Sequence, residues 1–319
     1  MSYNSDIAVT VYCIVYNHEK YLRDALDGFI MQKTNFKFEV LVHDDASTDN
    51  SAGIIHEYEL KYPDIIKPIY QKENIYSRGV NRTFEYMLPK TRGKYIAWCE
   101  GDDYWTSSDK LQKQYDYMEQ HPECSLVAHE ALTFNCHTGK TKKYTVHDFS
   151  KLENCELSTA EIIDNHLLFP TASMFYRKEY YIKNEEFLKT VKGFDYVIKI
   201  LLSSEGIVHI IPECMSVYRF QTEGSWTYDV SRSNEKFLKH TQLAIENLEK
   251  INAYTNYKYD AEIKENSVKR MYQAYINAFN FKELKKEPYL SIYKKLSVKK
   301  RIFLHIRKYF PFLYKLKTH

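Results

Sequence analysis

Residues 96–105, "IAWCEGDDYW", join an apolar run to a cluster of carboxylates. Glu100, Asp102 and Asp103 occupy three of four consecutive positions, so their negative charges repel one another unless a cation or a ligand lies among them. Hard divalent cations such as Mg²⁺ and Mn²⁺ prefer oxygen ligands, often one or two carboxylates together with phosphate oxygens. The cluster therefore predicts a metal and phosphate site. Its alternative is a solvated acidic turn that caps the helix expected to begin near Ser107.

A second acidic pair follows another apolar run in "LVHDDASTDNS", residues 41–51. The carboxylates of Asp44 and Asp45 can accept hydrogen bonds from a base N–H group or from sugar hydroxyls. The small residues that follow would form a compact turn that admits a planar ligand. The alternative is a helix N-terminus capped by Ser47 or Asp49.

These two clusters follow a regular alternation of strand and helix patterns. Apolar, β-branched runs predict strands at 7–16, 38–45, 65–71 and 94–100, and helical patterns lie between them at 18–32, 47–62 and 81–91. A β-α-β-α order predicts an α/β fold with a mostly parallel sheet flanked by helices. Ligands of such sheets bind at the carboxyl ends of the strands, where both acidic clusters lie.

The rest of the chain predicts a mixed segment and then a helical one. Between 106 and 228, helices are expected at 108–122, 159–166 and 194–206, and strands at 125–134 and 207–220. After Trp226, two amphipathic helices and a basic, aromatic tail follow. We therefore expect a domain at 1–228 and a helical C-terminal region at 229–319.

Composition limits the class of protein. The 319 residues are 44% hydrophobic, which excludes global disorder. The net charge of +3 is uneven, because residues 282–319 carry 12 Lys or Arg against 2 Glu. Six dispersed cysteines without a CxxC pair predict reduced thiols and a cytoplasmic protein. A signal-like segment and a membrane-length apolar run are both lacking, which predicts a soluble or peripheral protein.

Four segments together resemble family 2 glycosyltransferases with the GT-A fold, in order and in spacing. They are "VTVYCIVYNHEKYLRDALDGFIMQ", "FEVLVHDDASTDNS", "GKYIAWCEGDDYW" and "GFDYVIKILLSSEG", and the resemblance covers residues 6–228. It implies transfer of a sugar, such as a hexose, from a nucleotide-sugar, usually UDP-linked, to an acceptor hydroxyl with inversion at the anomeric carbon. It also implies a Mn²⁺ or Mg²⁺ cofactor and a role in bacterial polysaccharide or cell-surface glycan synthesis.

The resemblance assigns roles to the strand-end residues. Asp44 and Asp45 match the acids that bind uracil and ribose. Glu100, Gly101 and Asp102 match the DxD motif, with Glu in first place. Asp102 would be the main metal ligand and Asp103 its neighbour. The segment expected to contact the nucleotide, with the tyrosine near the base, comprises Val15, Tyr16 and Asn17.

Further roles are expected farther along the chain. Asp195 matches the acid that takes the proton from the acceptor, and its alternative role is to cap the following helix. Arg219 and Trp226 are expected to contact diphosphate and sugar, whereas Gln221 stands where relatives often carry a His metal ligand. Two other expected contacts are Trp105, as a wall of the sugar or acceptor pocket, and Arg78, which like Arg82 can approach the base or phosphates or lie on a solvated helix face.

The basic, aromatic tail predicts a contact with the membrane surface through residues 290–316. Its aliphatic and aromatic residues recur at helical spacing among the cations, which suits a helix lying in an interface with anionic headgroups. A lipid-linked or glycan acceptor would explain such a contact, on the inner face of the cell membrane. Nucleic acid is the less favoured partner, and packing on another copy of the chain stays open.

Two other functions compete with glycosyl transfer. A sugar nucleotidyltransferase would use similar metal-binding acids, but it should carry a Gly-rich, basic phosphate loop after the first strand, and "YNHEKYL" contains no glycine. A non-catalytic module for a sugar or nucleotide would bind its ligand without turnover.

Overall fold

The computed structural model describes residues 6–191, 194–222, 228 and 233–309. The chain divides into two compact units, Met1–Ser225 and Trp226–His319. The two units are described in turn.

The first unit alternates strands and helices along its first half. Its strands are β1 (Ile7–Val15), β2 (Lys37–Asp44), β3 (Ile66–Tyr70), β4 (Tyr95–Trp98), β5 (Tyr104–Trp105), β6 (Cys124–Asn135), β7 (Thr141–Lys143), β8 (Glu156–Leu157), β9 (Phe175–Arg177) and β10 (Ile207–Phe220). Its α-helices are α1 (Leu22–Ile30), α2 (Ser51–Lys61), α3 (Lys110–Gln120), α4 (Thr159–Asp164), α5 (Glu179–Lys183), α6 (Glu185–Lys189) and α7 (Phe194–Glu205). The helix expected at 81–91 is a π turn, Thr83–Met87, followed by a 3₁₀ turn, Leu88–Lys90.

The strands form one mixed sheet in the order β3-β2-β1-β4-β9-β6-β10-β5. The β1–β2, β2–β3, β1–β4 and β6–β10 pairs are parallel, whereas β9 is antiparallel to both of its neighbours and β5 is antiparallel to β10. This arrangement confirms the α/β fold with a largely parallel sheet. The antiparallel β9 belongs to the segment 106–228, where the sequence predicts mixed structure, whereas β5 precedes that segment and is a strand that the sequence does not predict.

Strand register brings the two acidic clusters to one edge. Val15 at the end of β1 pairs with Asp44 at the end of β2. Tyr12 of β1 pairs with Trp98, the last residue of β4, so the chain after β4 leaves the sheet at the same edge. The carboxyl ends of three adjacent parallel strands therefore meet, as the sequence predicts.

Helix α1 explains why β1 is a nearly continuous apolar run. Leu22, Ala25, Leu26 and Phe29, at helical spacing, join Val9, Val11, Cys13 and Val15 of β1 in one buried core. Residues on the other side of β1, such as Thr10 and Tyr12, are buried as well. A strand covered on both faces loses the alternation of apolar and polar residues, so its sequence becomes almost wholly apolar.

The second unit is helical. It contains α8 (Asn234–Tyr254), α9 (Asp260–Asn277), α10 (Phe281–Leu284), α11 (Tyr289–Lys295) and α12 (Val298–Tyr309), which confirms the predicted helical extension. No helix within the described ranges is both long enough and apolar enough to cross a bilayer. All six cysteines are free thiols, as expected.

Candidate functional site

The end of β1 is fastened to the turn that follows β2. Asn17 has a positive φ of 57°, a conformation that asparagine tolerates better than most residues. Its backbone N–H donates to the Ser47 hydroxyl at 2.9 Å, and its side-chain oxygen accepts the Thr48 N–H at 2.7 Å. The neighbouring Tyr16 side chain stays 38% exposed. The Tyr16–Asn17 turn and the 44–48 turn therefore form one rigid rim with an available aromatic ring.

The two acids of the second cluster have different environments. Asp44 accepts the Ser47 hydroxyl at 2.5 Å, and burial raises the pKa of its carboxyl group. Asp45 is completely buried, and its carboxylate accepts the backbone N–H groups of Ile75, at 2.8 Å, and Tyr76, at 3.2 Å. Asp45 therefore anchors the loop after β3 to this edge of the sheet.

The acidic loop after β4 lies against the end of β1. The Gly101 N–H donates to the Ile14 carbonyl at 3.0 Å. A Cβ atom at Gly101 would approach His18 Nδ1 and Val15 Cγ2 to 2.9 Å each, so a larger residue would push the loop away. Val15 itself is completely buried in the core, so its side chain is not exposed to a ligand at this edge.

Four charged groups converge beside this loop. Burial raises the pKa of Glu100 to about 7, the negative charges of Asp102 and Asp195 act in the same direction, and the Arg82 guanidinium opposes them. Asp195 is exposed in the first turn of α7. The structure thus brings two acids of the predicted metal cluster and the predicted base within electrostatic reach of one another, together with an arginine.

Asp103 and Arg219 hold the acidic loop in place. Asp103 is only 2% exposed, and its carboxylate accepts the Arg219 backbone N–H at 2.8 Å. The Arg219 guanidinium donates to the Asp102 carbonyl oxygen at 2.9 Å, pairs with the Asp24 carboxylate, and lies 4.4 Å from the Tyr104 ring centroid. Both side chains are almost fully buried and bonded within the protein, so their positions support a positioning role rather than direct contact with metal or diphosphate.

Trp105 belongs to the core. It is 2% exposed, its indole N–H donates to the Ala172 carbonyl at 2.9 Å, and its ring packs edge-on against Phe29 at 4.8 Å. The buried Lys110 ammonium lies 4.0 Å from its ring centroid. The expectation that Trp105 forms a wall of the sugar pocket is corrected by these contacts, because the indole is enclosed by the protein. The expected contact through Trp226 lies outside the described residues.

Two arginines after β3 point to different places. Arg78 is 60% exposed and pairs with Glu73, so it lies on the surface. Arg82 is 20% exposed, lies 3.5 Å from Asp45 and stacks 4.6 Å from the Tyr76 ring centroid. Arg82, which the sequence could not separate from Arg78, is the arginine that faces the acidic groups.

Sequence reasoning missed a tyrosine pair near the same groups. The rings of Tyr144 and Tyr218 meet edge-on at 5.5 Å. Burial raises the pKa of the Tyr144 hydroxyl, and Tyr218, Asp195 and Asp103 add to that effect. Tyr144 follows a three-residue strand and is one of 29 tyrosines, so no local pattern distinguishes it.

The carboxylates of the acidic loop suit a divalent cation that is shared with a bound ligand. In the described part of the chain, no three His, Cys, Asp or Glu side chains form a ready metal cage. Glu100 and Asp102 are crowded enough that repulsion helps raise the pKa of Glu100, and a cation would relieve that repulsion. Mg²⁺ and Mn²⁺ sites commonly use one or two carboxylates and complete the shell with water and phosphate. The donor set fits that kind of site.

Known proteins resemble this chain in sequence and in fold. Residues 10–183 match the family described as glycosyl transferase family 2. An uncharacterized protein of Mycobacterium tuberculosis (strain ATCC 25618 / H37Rv) is 34% identical over 218 residues, which are 68% of this chain and 60% of that protein. The minor teichoic acid biosynthesis protein GgaB of Bacillus subtilis (strain 168) is 26% identical over 244 residues, 75% of this chain and 26% of GgaB. The chain thus spans 60% or less of these two curated relatives.

Two solved structures have the same fold. S. aureus TarS 1–349 in complex with UDP-GlcNAc has a TM-score of 0.59 and 18% identity, covering 85% of this chain and 81% of that one. The mannosyltransferase PcManGT from Pyrobaculum calidifontis, in complex with GDP-Man and Mn²⁺, has a TM-score of 0.55 and 16% identity, covering 96% and 86%. The family match extends over more than half of the chain, and the chain therefore belongs to glycosyl transferase family 2 and has a GT-A-type fold.

Proposed function

We propose that this chain transfers a hexose from a nucleotide-sugar, UDP-linked in the simplest case, to an acceptor hydroxyl with inversion of the anomeric carbon. The observation that carries the proposal is the convergence of Glu100, Asp102, Asp195 and Arg82 beside the strand ends. TarS was solved with UDP-GlcNAc, and GgaB is a minor teichoic acid biosynthesis protein. Both support a nucleotide-sugar donor and an acceptor in surface polysaccharide or glycoconjugate synthesis.

The donor would lie across the rigid rim at the ends of β1 and β2. Tyr16 offers an exposed ring to the base, and Asp44 offers a carboxylate to base or ribose. Asp45 acts indirectly, because its bonds to Ile75 and Tyr76 hold the loop that leads to Arg82. The Arg82 cation would neutralise charge on the diphosphate.

Glu100 and Asp102 are the residues that would hold Mn²⁺ or Mg²⁺ together with the donor. When bound, the cation neutralises charge that develops on the departing diphosphate. PcManGT contains Mn²⁺ with its own donor, which supports a divalent cofactor. Asp103 and Arg219 fix the backbone of the loop, so the direction of the Asp102 carboxylate is set before the donor binds.

Asp195 is the proposed general base. Its carboxylate takes the proton of the acceptor hydroxyl as that oxygen bonds to the anomeric carbon. The bond from that carbon to the diphosphate oxygen breaks in the same step, and the nucleoside diphosphate leaves with the electron pair. No covalent sugar–enzyme intermediate is required, so one displacement inverts the configuration.

We also propose peripheral attachment to the inner face of the cell membrane through residues 290–316. Helix α12 supports this contact, because Val298, Ile302 and Phe303 are 62%, 54% and 43% exposed among several cations. A lipid-linked acceptor would then be met at the surface that holds the protein.

The proposal is tested by incubating the protein with UDP-, GDP- and dTDP-sugars, with and without Mn²⁺, and measuring release of nucleoside diphosphate. We expect slow, metal-dependent release from a UDP-linked hexose, faster with an acceptor glycan. Formation of a sugar 1-phosphate with pyrophosphate would instead identify a nucleotidyltransferase. Tight donor binding without release under any condition would identify a non-catalytic module.

A further inference from the structure

The second unit contains a groove that the proposed reaction does not use. It has a volume of about 490 Å³ and lies between α9 and α12. Ile276, Leu296, Phe303 and Leu304 line it, and the lining is almost entirely apolar. Its volume lies within the range of pockets that enclose small organic ligands, roughly 300–1,000 Å³.

One polar atom in this lining has no partner. Tyr272 lines the groove, and its buried hydroxyl makes no hydrogen bond within the described part of the chain. Because that hydroxyl is buried, it adds no exposed polar surface to the groove, and the wall formed by Tyr272 is apolar.

The rim of the groove is basic. Lys299 and Lys300 are exposed and line it. The sequence of α12, "VKKRIFLHIRKY", contains no acidic residue. An apolar groove with two ammonium groups at its mouth is complementary to an amphiphile with an anionic head.

We propose that the groove between α9 and α12 holds one acyl chain of an anionic membrane phospholipid, with Lys299 and Lys300 at its phosphate. This inference rests on the membrane contact proposed above. It makes that contact specific, because the protein binds one lipid molecule in the groove in addition to associating with the membrane surface. Attraction to a negative surface alone would require the cations but not the groove.

The test uses the full chain and vesicles of phosphatidylcholine, with or without phosphatidylglycerol. We expect the protein to sediment with the mixed vesicles. Native mass spectrometry of the recovered protein should show one retained phospholipid per chain. Vesicles of phosphatidylcholine alone should give neither result.

Two kinds of variant distinguish lipid binding in the groove from nonspecific electrostatic attraction to the vesicle surface. Ser297→Trp and Gln273→Trp add bulk at exposed lining positions and keep every cation, so the retained lipid should be lost. Changing Lys299 and Lys300 to Gln should weaken binding to the mixed vesicles about 30-fold. The matched control changes Lys294 and Lys295 to Gln, exposed lysines of α11 outside the groove, and should weaken it less than about threefold.

Several results would overturn the inference. They are a wild-type protein that retains no lipid, tryptophan variants that retain as much as wild type, or equal losses from the two lysine pairs. Retention that appears only after deletion of residues 310–319 would show that the chain's own tail fills the groove, and dimerisation abolished by the tryptophan variants would assign it to a second copy. Donor release by the first unit is measured in parallel, so failure here with release intact leaves the proposed glycosyl transfer standing.

Discussion

The backbone N–H of Arg219 donates a 2.8 Å hydrogen bond to the carboxylate of Asp103, 116 positions earlier in the chain. The Arg219 side chain reaches the Asp102 carbonyl and the Asp24 carboxylate from the same place. Strand β10 is thereby bonded to the acidic loop and to α1. The orientation of Asp102, the proposed metal ligand, thus depends on Arg219 in β10, the last strand along the chain.

Replacement of Arg219 by Gln should destabilise the first unit. The partly buried Asp102 carbonyl would lose its donor and Asp103 its nearby cation, which together cost about 2 kcal/mol of unfolding free energy. Asp24→Asn is the control, because it removes only the partly exposed partner and should cost less than about 1 kcal/mol. Urea unfolding measures both, and equal losses would argue against a role for Arg219 in holding the loop.

Asp195→Asn should slow the chemical step without weakening donor binding. An amide cannot accept the acceptor proton, so we expect kcat to fall roughly 10²-fold to 10⁴-fold while the donor Kd changes little. Glu186→Gln neutralises another exposed acid in the first turn of a helix and should keep full activity. Unchanged turnover in Asp195→Asn would remove this residue from the mechanism.

The two arginines after β3 offer a paired test of donor binding. Arg82→Gln should raise the donor Kd about 10-fold to 100-fold, because a hydrogen bond to a charged group is lost from a partly buried site. Arg78→Gln should change it less than about twofold, since this side chain is exposed and paired with Glu73. Calorimetric titration with the donor decides between them, and the reverse order would restore the original prediction for Arg78.

Acid should lower the unfolding free energy of the first unit, because unfolding allows His43 to become protonated. Burial, helped by the Arg82 cation and opposed by Asp45, lowers the pKa of this completely buried imidazole to about 4, whereas the unfolded value is 6.5. Because the unfolded chain binds the proton more tightly, the stability from this group is present above pH 6.5 and is lost as the pH falls towards 4. Between about pH 7 and pH 5 the loss should be about 2 kcal/mol.

Unfolding of a His43→Gln variant checks this assignment. Between about pH 7 and pH 5, the unfolding free energy of the variant should fall by about 2 kcal/mol less than that of wild type. His56→Gln, at an exposed position of α2, should retain the full wild-type dependence. A His43→Gln curve parallel to that of wild type would mean that other groups carry the acid sensitivity.

The strands were predictable because burial on both faces leaves a clear local pattern. The run at 7–16 became β1 at Ile7–Val15, and the run at 38–45 became β2 at Lys37–Asp44. The start of α2 was less predictable. The helix begins at Ser51, and Ser47 and Thr48 bond to Asn17 instead of capping it. Their partner lies about thirty positions away, where no local pattern can reveal it.

The site residues also show that contacts between residues far apart in sequence leave no local pattern. The resemblance to the family motifs placed Glu100, Asp102 and Asp195 in one predicted site, and in the structure the charges of Asp102 and Asp195 lie close enough to raise the pKa of Glu100. Nothing near Trp105 in sequence shows that its indole N–H has a carbonyl partner 67 positions away. Arg82 and Arg78 differ only in which way the loop held by Asp45 turns them. Side-chain chemistry was therefore predictable, and side-chain direction was not.

The central claim is that Asp102 and a divalent cation bind the diphosphate of a nucleotide-sugar together. Its most direct test is calorimetric titration of a UDP-linked hexose into wild type and Asp102→Asn, each with Mn²⁺ and with chelator. We predict that Mn²⁺ tightens wild-type binding at least about tenfold, a linkage that also raises the melting temperature with donor present. The variant should bind weakly and equally in both conditions. Equal wild-type affinity with and without metal, or a variant that keeps the full effect of Mn²⁺, would contradict the claim.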